Sequence, residues 1–217
     1  CQVYGAGSYS VYVKLTGFDL SITNSEFYGA TVQDVYLYRQ KGTKQHSKLC
    51  LKNNKFGIKG QPFKGVITDA DYTLIQNNDF LGATKDGIAK GFGLYDRGSD
   101  TLVAENNRFG SSGIDEVPNE AGAVYLRPNF YDFGIETTVD PLIVIRDNLF
   151  DGNGGNAIQM DSVRIHPVIS RNIFLATDSL AISNFRRLAI PTIDGIEISG
   201  SDLKVKGHVD SVATVEL

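Results

Sequence analysis

Apolar and polar residues alternate in short segments along most of the chain, as expected of strands that bury one face. Val, Ile, Thr, Tyr and Phe are frequent in these segments, and Asn and Gly separate them. No stretch shows the 3.6-residue periodicity of a long amphipathic helix. The pattern therefore predicts an all-β protein built from short strands.

One phrase, Asn–x–Phe after a few apolar residues, recurs along these segments. Its last residue is Phe or Leu at the following seven positions: Phe27, Phe56, Phe80, Phe109, Phe150, Phe174 and Leu203. The intervals are 29, 24, 29, 41, 24 and 29 residues, which indicates a basic unit of about 24 residues with insertions. Helical repeats are usually longer, about 33 to 47 residues, so the spacing favours stacked β units.

A unit of this size holds about three short strands, and stacked units form a parallel β-helix with rungs about 4.8 Å apart. We predict about seven rungs, with the Phe residues stacked inside the coil. We assign two roles to the Asn two positions before each Phe. It takes the left-handed conformation of a tight corner, and it bonds the equivalent Asn in neighbouring rungs to form a ladder.

A second strand follows each Phe and supplies an independent inward column. Its members share an apolar character and often follow a Gly or Ala: Val35, Val66, Leu94, Val124, Ile158 and Ile182. Two columns that agree on one register support the same coil. The whole pattern, over residues 20 to 205, resembles the right-handed parallel β-helix superfamily, the pectate-lyase-like fold. No catalytic motif of a particular family accompanies it, and the fold serves lyases, hydrolases, epimerases, tailspikes and adhesins.

Length and composition limit the functional classes. The 217 residues predict a single domain, residues 1–217. A coil of seven rungs is only about 30 Å long, so we also consider a module of a larger protein. A net charge of −4 argues against nucleic acid as a partner, and no apolar run is long enough to span a membrane. The Gly and Asn content with only two Cys favours a secreted protein or a cell or virion surface.

The outward side of the second strand carries the candidate site. Tyr95 and Tyr125 are predicted neighbours, with Arg97 and Arg127 two positions further along. Aromatic rings suit sugar rings, and Arg binds carboxylates with two hydrogen bonds, so this surface favours an acidic polysaccharide. The substrate-binding candidates around it are Tyr36, Asp69, Asp161 and Arg186. The alternative is a solvated sheet on which Tyr provides strand propensity and Arg and Asp offset each other's charge.

Four long insertions are expected to wall one side of this surface and make a groove: 39–46, 111–120, 127–136 and 185–191. The alternative is that they cover a sheet edge or contact a partner. Cys50 is predicted to point inward between Leu49 and Leu51, and a Cys1–Cys50 disulfide is the alternative.

Two kinds of catalysis are compatible with these residues. For β-elimination, Arg97 or Arg127 would neutralise a uronate, and Tyr95, Tyr125 or His166 would supply base and acid. Hydrolysis would use two carboxylates, for which the candidates on or near the face are Asp69, Asp96 and Asp161. A lone His such as His166 is more often structural. No cofactor or metal is predicted, because the Asp-rich corners lack calcium-site spacing and suit turns.

Two functions therefore compete. The first is an extracellular module that binds, and in its lyase version cleaves, an acidic polysaccharide. The second is a non-enzymatic structural or adhesive module, such as a segment of a tailspike, adhesin or filament. For the second, Ile196–Ser199 and Leu203–Lys206 alternate like strands near an uncapped end, and open strand edges favour homo-oligomers.

Overall fold

Three parallel sheets run along the coil in the computed structural model. It describes residues 2–4, 8–15, 17–39, 46–58, 63–111, 117–127, 131–132, 135–136, 141–161, 165–176, 179–184, 192–199 and 202–208. Each turn of the chain contributes one short strand to each sheet, and each strand pairs in parallel with its counterpart in the next turn. The predicted all-β, parallel β-helix of seven rungs is confirmed.

The strands fall into three sheets. The first contains β1 (Gln2–Tyr4), β4 (Glu26–Tyr28), β7 (Lys55–Phe56), β10 (Asp79–Phe80), β13 (Arg108–Phe109), β18 (Leu149–Asp151) and β21 (Ile173–Leu175). The second contains β2 (Tyr9–Leu15), β5 (Gln33–Arg39), β8 (Val66–Thr68), β11 (Phe92–Asp96), β14 (Gly122–Leu126), β19 (Asn156–Met160) and β22 (Ile182–Asn184). The third contains β3 (Phe18–Thr23), β6 (Ser47–Lys52), β9 (Tyr72–Gln76), β12 (Thr101–Glu105), β17 (Leu142–Arg146) and β20 (Val168–Ser170).

Two antiparallel hairpins add to the coil. They are β15 (Tyr131–Asp132) with β16 (Ile135–Glu136), and β23 (Thr192–Ser199) with β24 (Asp202–His208). In the second hairpin Leu203 pairs with Ile198, so the prediction that Leu203 closes the Phe column is wrong. The first sheet instead gains a rung at its other end, where Val3 pairs with Phe27. Local antiparallel pairing replaces a further parallel rung here.

The Phe residues of the first sheet form the predicted stack inside the coil. From Phe27 to Phe174, neighbouring ring centroids are 4.7 to 5.2 Å apart and the rings are nearly parallel. Phe56, Phe80 and Phe109 have no exposed surface. The spacing follows the rung separation of about 4.8 Å, so each ring contacts both neighbours.

The predicted asparagine ladder is present at the corner between the third and first sheets. We use this name for Asn54, Asn78, Asn107, Asn148 and Asn172. Each of the first four donates its backbone N–H and its side-chain amide to the Oδ1 atom of the next, at 2.9 to 3.0 Å. Each side-chain amide of the ladder also donates to a main-chain carbonyl, as Asn107 does to Ile75 O at 2.9 Å. The ladder therefore satisfies the polar groups of a buried corner.

The left-handed conformation belongs to a different residue from the one predicted. It occurs three positions before each Phe, where φ lies between 51° and 57°: Asn24, Asn53, Asn77, Asn106, Asp147 and Arg171. The two roles assigned to one Asn are thus divided between neighbours. The first residue turns the chain and faces solvent, and the second is the ladder Asn.

The inward column of the second sheet is confirmed, and it continues two residues further into each strand. Val66, Leu94 and Val124 pair with one another and are fully buried. By the same alternation Asp96 lies inside the coil, 1% exposed, where Thr68 and Ser99 donate to its Oδ1 atom at 2.9 and 2.5 Å. The proposal that Asp96 serves an outer face is therefore wrong.

Cys50 is also on the other side of its strand from the predicted one. Leu49 and Leu51 are buried, whereas Cys50 is half-buried on the outer face of the third sheet, between Ser21 and Leu74. Its thiol is free. Cys1 lies outside the described residues.

Candidate functional site

The outer side of the second sheet brings the predicted aromatic and basic residues together. We call Tyr36, Tyr95, Arg97, Tyr125, Arg127 and Asp161 the tyrosine–arginine face. Tyr95 pairs in register with Tyr125, and Ile67 lies between Tyr36 and Tyr95 in the same column. The prediction that Tyr95 and Tyr125 are neighbours is thus confirmed.

Arg97 bridges two rungs of the face. Its Nη1 atom donates to the Tyr36 hydroxyl at 2.9 Å, although the two residues are 61 positions apart. Ile67, which occupies the intervening rung, is fully buried. The bond between Arg97 and Tyr36 therefore passes over Ile67 and helps to shield it from solvent.

The tyrosine rings pack against one another. The Tyr95 and Tyr125 centroids are 4.9 Å apart, and Phe92 stacks on Tyr125 at the same distance. Tyr95 is only 6% exposed and packs in a cluster with Ile67 and Ala89. Ala89 belongs to the connection before β11, so this connection covers part of the face. Tyr36 and Tyr125 stay partly exposed at its edges.

Arg127 is the most accessible charged group of the face. Its side chain is 55% exposed, and its Nε atom lies 3.3 Å from Asp161 Oδ2. Hydrogen bonding to the Tyr95 hydroxyl is the largest cause that raises the pKa of Arg127, and Asp161 adds to it. The ion pair with Asp161 thus fixes one side of the guanidinium, and part of it still faces solvent.

Tyr125 contacts the same Asp161 carboxylate as Arg127. Its hydroxyl donates to Asp161 Oδ2 at 3.0 Å. Burial, and then this hydrogen bond, raise the pKa of Tyr125 to about 12. At neutral pH the phenol therefore keeps its proton, which allows it to donate a hydrogen bond but not to act as a base.

The remaining predicted residues are placed less favourably for contact with a polymer. Asp69 is 2% exposed, so its carboxylate is not offered to a ligand at the surface. His166 is exposed, but it lies in the connection before β20, beyond the strands that carry the face. Arg186 lies outside the described residues. So do most residues of the four long insertions, and the predicted groove wall therefore stays a prediction.

Sequence reasoning missed two aromatic residues that pack beside the face, the exposed Tyr12 and the buried Phe92. Tyr12 pairs in register with Tyr36 and stacks on it, with centroids 5.4 Å apart, and it is 50% exposed. Its position 24 residues before Tyr36, one repeat interval, was the available signal. Phe92 lies two residues before Leu94 of the predicted inward column, and no repeat in the sequence indicated that it would contact Tyr125.

With this geometry in view, the comparisons with known proteins agree with the fold. The family model described as "Right handed beta helix region" matches residues 1–174. The chain belongs to this right-handed β-helix family. It has no match among curated proteins or among solved structures.

Two further findings concern the described residues of this β-helix as a whole. Within the part of the chain that the structure describes, no helical segment has the length and hydropathy needed to cross a membrane. The same residues contain no group of three or more His, Cys, Asp or Glu arranged to hold a metal ion.

Proposed function

We propose that the β-helix binds an acidic polysaccharide along the tyrosine–arginine face without cleaving it. The observation that carries the proposal is the half-exposed Arg127 guanidinium, which is paired with Asp161 and lies beside the partly exposed ring of Tyr125. A uronate or sulfate group can share such a guanidinium, and the ring offers an apolar surface to the sugar.

Binding is better supported than cleavage because the described residues of the face lack the groups that cleavage needs. Elimination requires a base. The pKa of Tyr125 is raised to about 12, so its phenol is protonated at neutral pH and cannot take a proton. Hydrolysis requires two carboxylates on either side of a glycosidic bond. Asp96 lies inside the coil and Asp69 is buried, so Asp161 is the accessible carboxylate among the three candidates.

The test is calorimetric titration with alginate, pectate and glycosaminoglycans, for the natural chain and for Arg127→Gln. We expect Arg127→Gln to weaken binding about tenfold, as the loss of a charge-assisted hydrogen bond implies. Arg146→Gln is the matched control, because Arg146 is 44% exposed but lies on the third sheet, paired with Glu105. Equal losses in the two variants, or no binding by the natural chain, would contradict the proposal.

The same polymers separate binding from catalysis. After prolonged incubation we expect no rise in the ultraviolet absorbance that unsaturated uronates produce, and no new reducing ends. A rise that Tyr125→Phe abolishes would replace the binding proposal with a lyase.

We further propose that the protein acts outside the cell or on a cell or virion surface, where such polymers occur. The support is compositional, namely many Gly and Asn residues and only two Cys. Fractionation of the source that finds the protein only in the cytosol would contradict this location.

A structural or adhesive module is the second candidate function, and the last rung favours it. Of the nine large apolar residues that are exposed among the described residues, five lie between positions 168 and 182. They are 41% to 58% exposed: Val168, Ile173, Leu175, Leu180 and Ile182. In the described residues, β20, β21 and β22 are also the last strands of their sheets. Open strand edges beside apolar side chains favour pairing with a second copy.

Light scattering over a range of concentrations tests this assembly. If copies associate through the last rung, Leu175→Lys should shift the protein to monomer, since a charge there would be desolvated in the contact. Leu142→Lys is the matched control, because Leu142 is 56% exposed on the side of the coil. A natural chain that is monomeric at every concentration would exclude this function.

A further inference from the structure

A second polar surface lies at the corner between the third and first sheets, away from the second sheet. A shallow depression of about 370 Å³ opens there across three rungs. We call it the corner depression, and its outer lining consists of Asn77, Asp79, Asn106, Arg108 and Asp147. The buried ladder residues Asn78 and Asn107 form its floor, with Leu149 at one side.

The outer row of asparagines changes at this place. Asn53 donates to Asn24 Oδ1 at 3.3 Å, and Asn77 donates to Asn53 Oδ1 at 3.2 Å. Among the described residues, the row does not continue from Asn106 to Asn77, and the Asn106 side chain has no hydrogen-bond partner. An acceptor on Asn77 and a whole amide on Asn106 therefore face the depression. The interruption and the depression coincide, although they are independent observations.

The charges around the depression decide which ligands it suits. Arg108 donates to Asp79 at 3.1 and 3.3 Å, and Arg171 donates to Asp147 at 2.7 Å through two nitrogen atoms. A cation is disfavoured because both carboxylates are already paired with Arg. An anion is disfavoured because it would approach the same two carboxylates. A neutral ligand that both donates and accepts hydrogen bonds suits the surface.

We propose that the corner depression binds a neutral sugar residue through two neighbouring hydroxyl groups. One hydroxyl accepts from the Asn106 amide and donates to Asn77 Oδ1, and the other donates to the Asp147 or Asp79 carboxylate. The first hydroxyl thus uses both of its hydrogen-bonding capacities, and the second uses its donor. The site is separate from the tyrosine–arginine face, so either site can fail without the other.

Amide NMR titration tests the site, with glucose, galactose, mannose, N-acetylglucosamine and their short neutral oligomers as probes. We expect at least one probe to shift the backbone signals of residues 77–79 and 106–108. Asn106→Gly should weaken that binding about fivefold, the loss of one neutral hydrogen bond. Gly tolerates the positive φ of 56° at this position, so the corner should fold normally.

Two controls make the outcome decisive. Asn24→Gly removes an amide at another left-handed corner position, where φ is 51°, and should leave the affinity unchanged. Arg127→Gln should also leave it unchanged, which separates this site from the tyrosine–arginine face. No shift with any probe, an equal loss in Asn24→Gly, or saturable shifts at these residues with calcium chloride would overturn the proposal.

Discussion

The asparagine ladder and the tyrosine–arginine face are both columns of side chains along one coil, but their contacts differ. The ladder repeats the same bonds in four successive rungs, and it bonds largely to the main chain. The contacts of the face differ from one another and join side chains: Arg97 donates to Tyr36, and Asp161 pairs with Arg127 and accepts from Tyr125. Repetition and burial make the ladder a source of stability, and the varied, partly exposed contacts leave the face available to a ligand.

The largest effect should come from the Phe stack beside the ladder. Phe109 has no exposed surface and lies between Phe80 and Phe150, with centroids 4.7 and 5.2 Å away. Phe109→Ala should lower the free energy of unfolding by about 3–5 kcal/mol, since a cavity forms between two rings. Urea denaturation followed by circular dichroism measures it.

Phe174→Ala is the matched control for this change. Among the described residues, Phe174 is the last ring of the stack and is only half-buried. Its removal should cost clearly less, because solvent can fill the space at the end of the coil. An equal loss in the free energy of unfolding at the two positions would mean that the ring of Phe174 is shielded from solvent to the same extent as that of Phe109.

A somewhat smaller loss is expected in the ladder itself. The Asn107 side chain accepts from Asn78 and donates to Asn148 Oδ1 and Ile75 O, all at 2.9 to 3.0 Å. Asn107→Ala should cost about 3 kcal/mol, because several buried polar groups lose a partner. Asn106→Gly, one residue earlier, should cost less than about 1 kcal/mol. Similar costs for these neighbours, compared by urea denaturation, would contradict the division of roles.

That division was partly visible in the sequence. Where the phrase contains Asn-Asn, as at Asn53 and Asn54, either residue fits either role. Asp147-Asn148 and Arg171-Asn172 keep Asn only in the second position, because only that position needs an amide that both donates and accepts. A left-handed corner accepts Asp or even Arg when the main-chain bonds around it are satisfied.

Strand alternation explains two of the wrong expectations. Leu94 was predicted to point inward and Tyr95 outward, so Asp96 had to point inward again. Likewise, two inward residues on either side of Cys50 place it outside. Polar character suggested the surface for Asp96, but the coil satisfies this carboxylate internally through Thr68 and Ser99.

The contacts of the face were predictable only in part. Register gave the neighbours Tyr95 and Tyr125, since the column repeats in each rung. The bond from Arg97 to Tyr36 depends on a long side chain crossing a rung, and the burial of Tyr95 depends on the connection that carries Ala89. Neither follows a repeat, so no sequence period reveals them.

A moderate effect on stability should come from that crossing bond. Tyr36→Phe removes the acceptor of Arg97 and should cost about 1 kcal/mol, as for one partly buried hydrogen bond. Tyr12→Phe is the control, because Tyr12 stacks on Tyr36 in the same column and is 50% exposed. The urea midpoints of the two variants compare these effects. An equal or larger effect of Tyr12→Phe would mean that the bond from Arg97 to Tyr36 does not stabilise the face.

The smallest effect should appear in alkali. The pKa of Tyr125 is raised from 10 to about 12 by burial and by Asp161, so the unfolded chain loses this proton first as the pH rises. Between pH 10 and 12 the unfolded state therefore binds fewer protons than the folded state, and the free energy of unfolding falls with pH. This contribution is fully present below pH 10. Because Tyr125 is partly exposed, we expect a small slope, which urea midpoints at pH 9, 10 and 11 should detect as a difference between the natural chain and Tyr125→Phe. Stability of the variant should fall less steeply, and identical slopes would show that the bond to Asp161 does not hold the phenol proton.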